Sequence, residues 1–128
     1  MIQTYVDTHI VIWLRENKLR KLSKVALRAL ERAEVLLVSP IVKLELAYLY
    51  EIGQLTLPPS KMLDSKTLNF DLTISDVSFA AVCDAAESIG WTRDLFDRLI
   101  VAEAIYTGNT PLITADTKIH KHYKKALW

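Results

Sequence analysis

The sequence contains little cysteine, glycine and proline, and these shortages exclude several classes of protein. A single cysteine, Cys83, excludes an internal disulfide framework and a cysteine-rich metal site. Three glycines and four prolines in 128 residues, of which 51% are hydrophobic, indicate long helices and a large core rather than disorder. No apolar run approaches the roughly 18 residues of a membrane span. We therefore expect a globular protein of the reducing cytoplasm that does not enter a membrane.

The chain also lacks an excess of charge of either sign. Sixteen Lys and Arg residues against fifteen Asp and Glu residues give a net charge of +1, which excludes a strongly polybasic protein. If nucleic acid binds, the positive charge must be local. The first residues contain no basic segment followed by an apolar core, as a secretory signal would. By its length, we expect the chain to form one domain over residues 1–128.

Strand and helix patterns alternate along the chain. Short apolar segments predict strands at residues 2–6, 35–38, 70–74 and 111–114, with a further short candidate at 126–128. Helices are predicted over residues 8–16, 24–33, 40–52, 61–68, 77–89 and 94–107. This alternation is typical of an α/β fold, a three-layer α/β/α sandwich with a mainly parallel sheet between helical layers.

Local signals support several of these helix ends. Ser39 and Pro40 are favoured as the N-cap and first residue of the helix at 40–52. Ser75 or Asp76 is the expected cap of the helix at 77–89. Gly53 and Gly108 follow the predicted ends of two other helices, where glycine is favoured.

Acidic residues follow the predicted strands. Asp7 comes directly after the first strand, and Asp116 lies two residues past the fourth. Glu45 lies in the second turn of the helix after the second strand, on that helix's apolar side. Ligands of an open parallel sheet bind beyond the carboxyl ends of its strands, so these acids are expected on one rim. Asp94 and Asp97, at the start of an otherwise apolar helix, join them if that helix begins at the same rim.

Each acid also has a structural interpretation. Asp7 is a good N-cap and Asp116 a good turn residue, and Glu45 can pair with a lysine or arginine inside the fold. Asp94 and Asp97, taken alone, are most economically a capping pair at a helix start. The coincidence of all five on one rim favours a site. The role of Asp94 stays open between cap and ligand.

Several carboxylates cannot share a small cleft in their charged form without a cation. Oxygen ligands with neither cysteine nor a histidine pair nearby favour Mg²⁺ or Mn²⁺ over zinc. Such a site activates water and neutralises charge on a phosphoryl group, which is the chemistry of phosphodiester hydrolysis.

Four separated motifs give the chain a family resemblance. The segments VDTHIVIWL, SPIVKLEL, RDLFDRLIVAEA and LITAD, with a final ALW, resemble the PIN-domain ribonucleases, above all the VapC toxins of toxin–antitoxin pairs. The match extends in order from Val6 to Trp128. The resemblance implies an α/β/α sandwich and a Mg²⁺- or Mn²⁺-dependent endoribonuclease. By position, the family's catalytic and metal-binding acids correspond to Asp7, Glu45, Asp97 and Asp116, with Asp94 as a further metal ligand.

The same resemblance implies partners and shows two departures. It implies an RNA substrate, a homodimer and a cognate antitoxin that places an arginine against the carboxylates. Leu95 stands where the family usually has proline, and Thr92 where it often has histidine. Neither change removes a carboxylate, so we expect activity to survive, with the entry to the helix in doubt.

Other residues are weaker candidates for contacts to RNA or to the water shell of a metal. They are Thr8, Ser39, Arg93, Arg98, Thr114 and Lys118. Ser39 has the alternative role of an N-cap, and the arginines have that of solvated or ion-paired side chains. Lysines and histidines at 118–125 can guide an RNA backbone, although a charge run is more often a solvated face.

We expect mainly structural roles for His9, the three tryptophans and Cys83. His9 is expected to be a structural histidine at the rim rather than a general base. Trp13, Trp91 and Trp128 are expected in the core or an interface rather than as base-stacking platforms. Cys83, on an amphipathic helix, is expected to be a small core residue.

Three functions remain open at this point. The first is a metal-dependent endoribonuclease of the VapBC type. The second is a PIN-like protein-binding module with little or no activity, in which the acids serve as caps. The third, a phosphatase of another α/β fold, is weaker because Asp7 is followed by Thr8 and His9, without the second aspartate of an aspartyl-nucleophile motif.

Overall fold

The centre of the molecule is a five-stranded parallel sheet. A computed structural model describes residues 2–64 and 70–128. Its strands are β1 (Gln3–Val6), β2 (Val35–Val38), β3 (Leu72–Ile74), β4 (Leu112–Ile113) and β5 (Ala126–Leu127). They lie in the order β3-β2-β1-β4-β5, and every pairing is parallel. The carboxyl ends of all five strands therefore point to the same edge of the sheet.

Helices cover the sheet. They are α1 (Thr8–Arg15), α2 (Lys24–Arg32), α3 (Ile41–Glu51), α4 (Pro59–Met62), α5 (Phe79–Glu87), α6 (Leu95–Tyr106) and α7 (Thr117–His122), with a 3₁₀ turn at Leu19–Lys21. Helix α6 packs on α3 and α5, while α2 and α7 contact β5. This arrangement confirms the three-layer α/β/α fold. Within the described ranges, no helix has the length and apolar character needed to cross a membrane.

The central strand shows why two helical layers are needed. Tyr5 and Val6 are consecutive residues of β1, and both are 0% exposed. Successive side chains of a strand point to opposite faces of a sheet, so both faces of β1 are covered. The fully apolar sequence of β2 has the same cause, because such runs suit strands that are buried on both sides.

Two helices end where glycine was expected. Gly53 has φ +81° just after α3, and Gly108 has φ +98° just after α6. These left-handed conformations are those that glycine adopts most readily, so the predicted helix ends are confirmed.

Three local expectations differ from the structure. The helix predicted at 77–89 is capped by Ser78 and spans Phe79–Glu87, so neither Ser75 nor Asp76 is its cap. Ser75 does not cap the helix because its hydroxyl donates a hydrogen bond to Glu103, which is distant in the sequence. Helix α7 was not predicted at all. Of the helix predicted at 61–68, the structure has α4 at Pro59–Met62, and residues 65–69 lie outside the described part.

Candidate functional site

Five carboxylates line one cleft beyond the carboxyl ends of the strands. The cleft has a volume of about 310 Å³. Its lining consists of Asp7, His9, Trp13, Glu45, Asp94, Asp97, Ala115 and Asp116. The structure thus brings together all five acids that the sequence placed on one rim. We call this set of residues the acidic cleft.

Asp7 is held in place from both sides. It directly follows β1 and caps α1, where its Oδ1 accepts a hydrogen bond from the Thr8 backbone N–H at 2.7 Å. Its Oδ2 accepts from the Thr114 hydroxyl at 2.6 Å. Asp7 is therefore both the helix cap that the sequence suggested and a fixed wall of the acidic cleft.

Glu45 reaches the cleft from α3. The Thr8 hydroxyl, which is buried, donates a hydrogen bond to its Oε1. No lysine or arginine in residues 2–64 or 70–128 forms an ion pair with Glu45. The alternative that Glu45 has an internal cationic partner is therefore wrong for the described chain.

Helix α6 brings two carboxylates to the cleft at its first turn. Asp94 is its N-cap, and its Oδ1 accepts from the backbone N–H groups of Phe96 at 2.9 Å and Asp97 at 3.2 Å. Asp97 stands in the first turn of the helix. Its carboxylate, unlike that of Asp94, has no hydrogen bond to another residue of the described chain. Asp94 therefore fills the first of its two suggested roles, that of helix cap, while the Asp97 carboxylate lacks a hydrogen-bond donor in the described chain.

Asp116 caps α7 in the same way, and Thr114 connects it to Asp7. The Asp116 Oδ1 accepts from the N–H groups of Lys118 and Ile119 at 2.8 and 3.0 Å. The Thr114 Oγ1, which donates to Asp7, accepts from the Asp116 N–H at 3.1 Å. A ring nitrogen of His120 lies 2.7 Å from the Thr114 carbonyl oxygen. Thr114 therefore fixes the positions of two acids relative to each other.

The electrostatics of the cleft disfavour five negative charges. Burial, followed by the negative charges of Asp7, Asp94, Asp116 and Glu45, raises the pKa of Asp97 to about 7. Burial is also the largest cause that raises the pKa of Asp7 and of Glu45. No lysine or arginine is among the residues that line the cleft in the described chain. A bound cation would relieve this repulsion.

The chemistry of these residues fits a hard divalent cation. All five acids offer oxygen ligands, which suit Mg²⁺ or Mn²⁺. Within the described chain, however, no three His, Cys, Asp or Glu side chains converge as a ready-made cage. Capping and threonine hydrogen bonds already engage oxygens of several acids, as described above. The ligand atoms are thus of the kind that Mg²⁺ or Mn²⁺ prefers, but they line an open cleft and do not form a closed coordination site.

Of the weaker candidates, two threonines support the acids and two arginines do not reach them. Thr8 and Thr114 are fully buried and donate to Glu45 and Asp7. Arg93 donates to the Gly90 carbonyl at 3.1 Å, and Arg98 donates to the Ala86 carbonyl at 3.0 Å. Neither arginine is among the residues lining the acidic cleft. Lys118 is exposed in the first turn of α7, two residues after the Asp116 cap.

Ser39 belongs to a second cluster, which the sequence reasoning missed. Its hydroxyl donates to Oε1 of Glu103 at 2.9 Å, and Ser75 donates to Oε2. Glu103 is only 3% exposed. The structure therefore does not bring Ser39 to the acidic cleft. An acid within the apolar run IVAEA was the available signal for this buried carboxylate.

Some histidine and tryptophan rings line the cleft, whereas others pair elsewhere in the fold. His9, which is exposed, and Trp13, which is half-buried, both line the acidic cleft. Trp91 instead stacks on His122, with ring centroids 4.8 Å apart and planes 5° from parallel.

Cys83 is partly exposed on α5, so it is not a fully buried core residue.

Solved structures with this fold include chains of VapBC proteins. A chain of VapBC2 from Rickettsia felis, solved with a DNA fragment from its promoter, is 22% identical, with a TM-score of 0.59 and coverage of 94% of this chain and 92% of that one. A chain of VapBC-1 from nontypeable Haemophilus influenzae is 18% identical, with a TM-score of 0.61 and coverage of 94% and 91%. At these identities the similarity establishes the fold.

Further comparisons identify the family. A chain of DNA-bound VapBC from Salmonella typhimurium is 17% identical, with a TM-score of 0.56 and coverage of 98% of this chain and 96% of that one. A search of curated proteins gave no match. The sequence model of the PIN domain matches residues 4–125, which is nearly the whole chain. The protein therefore belongs to the PIN domain family.

Proposed function

We propose that this protein is a metal-dependent endoribonuclease and the toxin of a VapBC-type toxin–antitoxin pair. It would act as a single PIN domain over residues 1–128, in the cytoplasm. Family membership and the similarity to chains of VapBC complexes support the proposal. The observation that carries it is the convergence of five carboxylates on one cleft without a lysine or arginine in its described lining.

In this proposal Asp7, Glu45, Asp97 and Asp116 hold Mg²⁺, or Mn²⁺ in its place, with Asp94 as a further ligand. When bound, the cation supplies activation of water and neutralisation of charge on the phosphodiester. Asp97 is the first candidate because its carboxylate is free and surrounded by negative charge. Its raised pKa, about 7, means that a cation competes with a proton there.

The remaining residues of the cleft act by orientation. Thr114 holds Asp7 and the backbone of Asp116, and Thr8 holds Glu45. Because these threonines are buried, their hydroxyls are directed by the fold and do not exchange partners with water. Thr8 and Thr114 are therefore proposed to set carboxylate geometry. Direct contacts to RNA phosphates are left to exposed groups such as Lys118, with Arg93 and Arg98 as less favoured candidates. Ser39 is no longer a candidate, because it is buried and its hydroxyl donates to Glu103.

The test is cleavage of single-stranded RNA by purified protein with Mg²⁺ or Mn²⁺. Asp97→Asn and Asp7→Asn should lose cleavage and weaken Mn²⁺ binding in calorimetry. Asp84→Asn is the matched control, because Asp84 is an exposed aspartate on α5 outside the cleft. Full activity in both cleft variants would refute the assigned ligands.

The second candidate function is a protein-binding module without activity. It is favoured by one observation, that Asp7, Asp94 and Asp116 each cap a helix and so have a role without a metal. Absence of Mn²⁺ binding to the folded protein, together with absence of RNA cleavage, would select this alternative.

A cognate antitoxin is the proposed protein partner. The acidic cleft suits an antitoxin segment that presents an arginine, since a guanidinium pairs well with carboxylates. Co-expression with the product of a small neighbouring reading frame should relieve toxicity and give a complex that co-purifies. Asp97→Asn should weaken that complex, whereas Asp84→Asn should not.

A homodimer is the proposed assembly. Leu44 on α3 is 61% exposed and Phe79 on α5 is 67% exposed, and both border an apolar cleft of about 300 Å³. Apolar groups at such exposure favour contact with another protein surface. Light scattering should give the mass of two chains, and Leu44→Glu with Phe79→Glu should give that of one.

A further inference from the structure

The acidic cleft poses a problem for an RNA substrate, which is the substrate under the proposed function. An RNA backbone carries one negative charge per phosphate, and the cleft contains five carboxylates. A metal ion would offset part of this repulsion at one phosphate only. Affinity for the nucleotides on either side must then come from groups at the edge of the cleft.

Aromatic rings form one edge of the cleft. The rings of His9 and Trp13 lie 6.0 Å apart at 54°, and those of Trp13 and Trp128 lie 5.9 Å apart at 50°. The ammonium of Lys21 lies 5.7 Å from the centre of the Trp13 ring. We call His9, Trp13, Trp128 and Lys21 the aromatic wall. It begins inside the cleft, because His9 and Trp13 are part of the cleft lining.

The rings of the wall do not stack on one another. Their planes are tilted by 50° or more, so neither Trp13 contact is face to face. Trp91 and His122 provide the contrast, since they are nearly parallel and 4.8 Å apart. In that pair each ring covers a face of the other, whereas Trp13 meets both of its ring neighbours at a tilt and presents part of its side chain to the acidic cleft.

We propose that the aromatic wall binds a base of the RNA next to the scissile phosphate, so that Trp13 and Trp128 contribute to substrate affinity. Stacking of a base on an aromatic side chain tolerates any base identity and contributes substantially to binding. A base in a duplex is already stacked between its neighbours and cannot lie on a side chain. Trp13 is the central residue because it contacts both other rings and lines the cleft.

Lys21 completes the surface. It is exposed, and its ammonium lies over the ring of Trp13, which lines the acidic cleft. An ammonium in this place attracts a phosphate neighbouring the stacked nucleotide and also interacts with the ring itself. The local positive charge that the neutral overall composition required is thus present beside the cleft. Trp13 and Trp128 also pack against the hydrophobic core, as the sequence predicted, so the proposed role is additional to that structural one.

The experiment compares two tryptophans. Fluorescence anisotropy with a labelled single-stranded RNA of about eight nucleotides in EDTA measures binding without cleavage. Trp13→Leu should weaken binding by roughly 10-fold, with Trp13→Phe between the two. Trp91→Leu is the matched control and should bind as the parent does, because Trp91 lies outside the cleft lining. Thermal unfolding and Mn²⁺ calorimetry establish that each variant retains its fold and metal site.

Three further measurements separate a binding role from a structural one. In steady-state cleavage with Mg²⁺, Trp13→Leu should raise KM by the same factor while kcat changes by less than about 3-fold. Lys21→Gln should reduce the salt dependence of RNA binding by about one ion. If Trp13→Leu does not fold, Trp128→Leu tests the outer ring of the wall in the same assay.

The outcomes separate this inference from the proposed catalysis. Weakened binding in EDTA by Trp13→Leu, in a protein that cleaves nothing, would support the wall and refute the nuclease assignment. Cleavage in which Trp13→Leu and Trp128→Leu both keep the parental RNA affinity and KM would refute the wall alone. Equal affinity for a duplex of the same sequence would also overturn it.

Discussion

The two ends of helix α6 use acidic residues in opposite ways. At the first turn, Asp97 has no hydrogen bond to another described residue and is surrounded by four other carboxylates of the cleft. Six residues later, Glu103 is far more deeply buried, yet its two oxygens accept from the Ser39 and Ser75 hydroxyls. Depth of burial therefore does not distinguish a carboxylate that has hydrogen-bond donors from one that lacks them.

The difference lies in what satisfies each charge. Glu103 has donors from the ends of β2 and β3, so it joins the sheet to α6 and needs no ligand. Asp97 has neighbours that repel it, and burial together with those charges raises its pKa. An unsatisfied cluster of carboxylates supports the proposed cation site, whereas a carboxylate whose oxygens have donors is accounted for by the fold alone.

The largest expected effect is on RNA cleavage, which should depend far more on Asp97 than on Glu103. Asp97→Asn should reduce Mg²⁺-dependent RNA cleavage by about 100- to 1000-fold, because it removes a charged group from the proposed metal site. Glu103→Gln keeps acceptor capacity for a serine hydroxyl and should remain within about 10-fold of the parent. Initial rates at saturating Mg²⁺ measure both. Equal losses of cleavage activity in the two variants would contradict the distinction between Asp97 and Glu103.

The second prediction concerns stability, which should depend more on Glu103 than on Asp97. Glu103→Ala leaves the Ser39 and Ser75 hydroxyls buried without their acceptor and should lower the free energy of unfolding by about 2–4 kcal/mol. Glu87→Ala, at an exposed position of α5, is the control and should change it by less than about 0.5 kcal/mol. Urea denaturation gives both values. A cost below about 1 kcal/mol for Glu103→Ala would contradict the structural role.

The third prediction concerns the pH dependence of the metal-free protein. The pKa of Asp97 is raised from 3.8 in the unfolded reference to about 7 in the fold. Between those values the folded state binds more protons than the unfolded state, so stability should fall as pH rises from about 4 to about 7. Asp97→Asn should remove part of this fall, on the order of 1–2 kcal/mol after allowance for solvent screening.

Asp84→Asn provides the comparison for that measurement, because Asp84 is exposed on α5. Its stability curve in EDTA should run parallel to that of the parent over the whole pH range. A parallel curve for Asp97→Asn would mean that the cleft carboxylates do not repel each other as the geometry indicates.

The fourth prediction divides the two roles of Asp94. Asp94→Asn retains a side-chain oxygen that caps α6, so thermal stability should stay nearly unchanged. Asp94→Ala removes the cap and should cost about 1 kcal/mol. If Asp94 is also a ligand, both variants should weaken Mn²⁺ binding in calorimetry by a similar factor. Unchanged Mn²⁺ affinity in both would restrict Asp94 to capping.

The smallest expected effect concerns the first residue of α6. Leu95 is exposed at that position, and Asp94 before it is extended, with φ −71° and ψ 112°. Both conditions suit proline, so Leu95→Pro should stabilise the fold by about 0.4–1 kcal/mol. Thermal unfolding measures the gain. A loss would mean that the start of α6 depends on leucine for a reason other than backbone geometry.

Much of the candidate site was predictable because its signals are local. Asp7, Asp94 and Asp116 stand at positions where a strand ends or a helix begins, and such positions are marked by short sequence patterns. The parallel sheet then places these positions at one edge, as expected for this class of fold. The five acids and the alternation of strands and helices followed from this reasoning, whereas the PIN domain family was predicted from the resemblance of four sequence motifs and confirmed by the family model.

The contacts made across the fold were not predictable in the same way. Ser75 was expected to cap the next helix, but its hydroxyl donates to Glu103, 28 residues along the chain. Helix α7 was overlooked because its basic sequence has little apolar periodicity, although the Asp116 cap begins it. The place of Trp13 in the cleft depends on how α1 lies against the last residues of the chain.

The sequence by itself determined the class of fold and the identity of the acids, because strand patterns, helix caps and carboxylate chemistry are properties of short segments. Only the tertiary structure decided which acids are satisfied and which are not. Thr8, Thr114, Ser39 and Ser75 look alike in the sequence, yet two of them support the acidic cleft and two of them enclose Glu103. That choice depends on donors and acceptors brought together from distant segments, which no local pattern encodes.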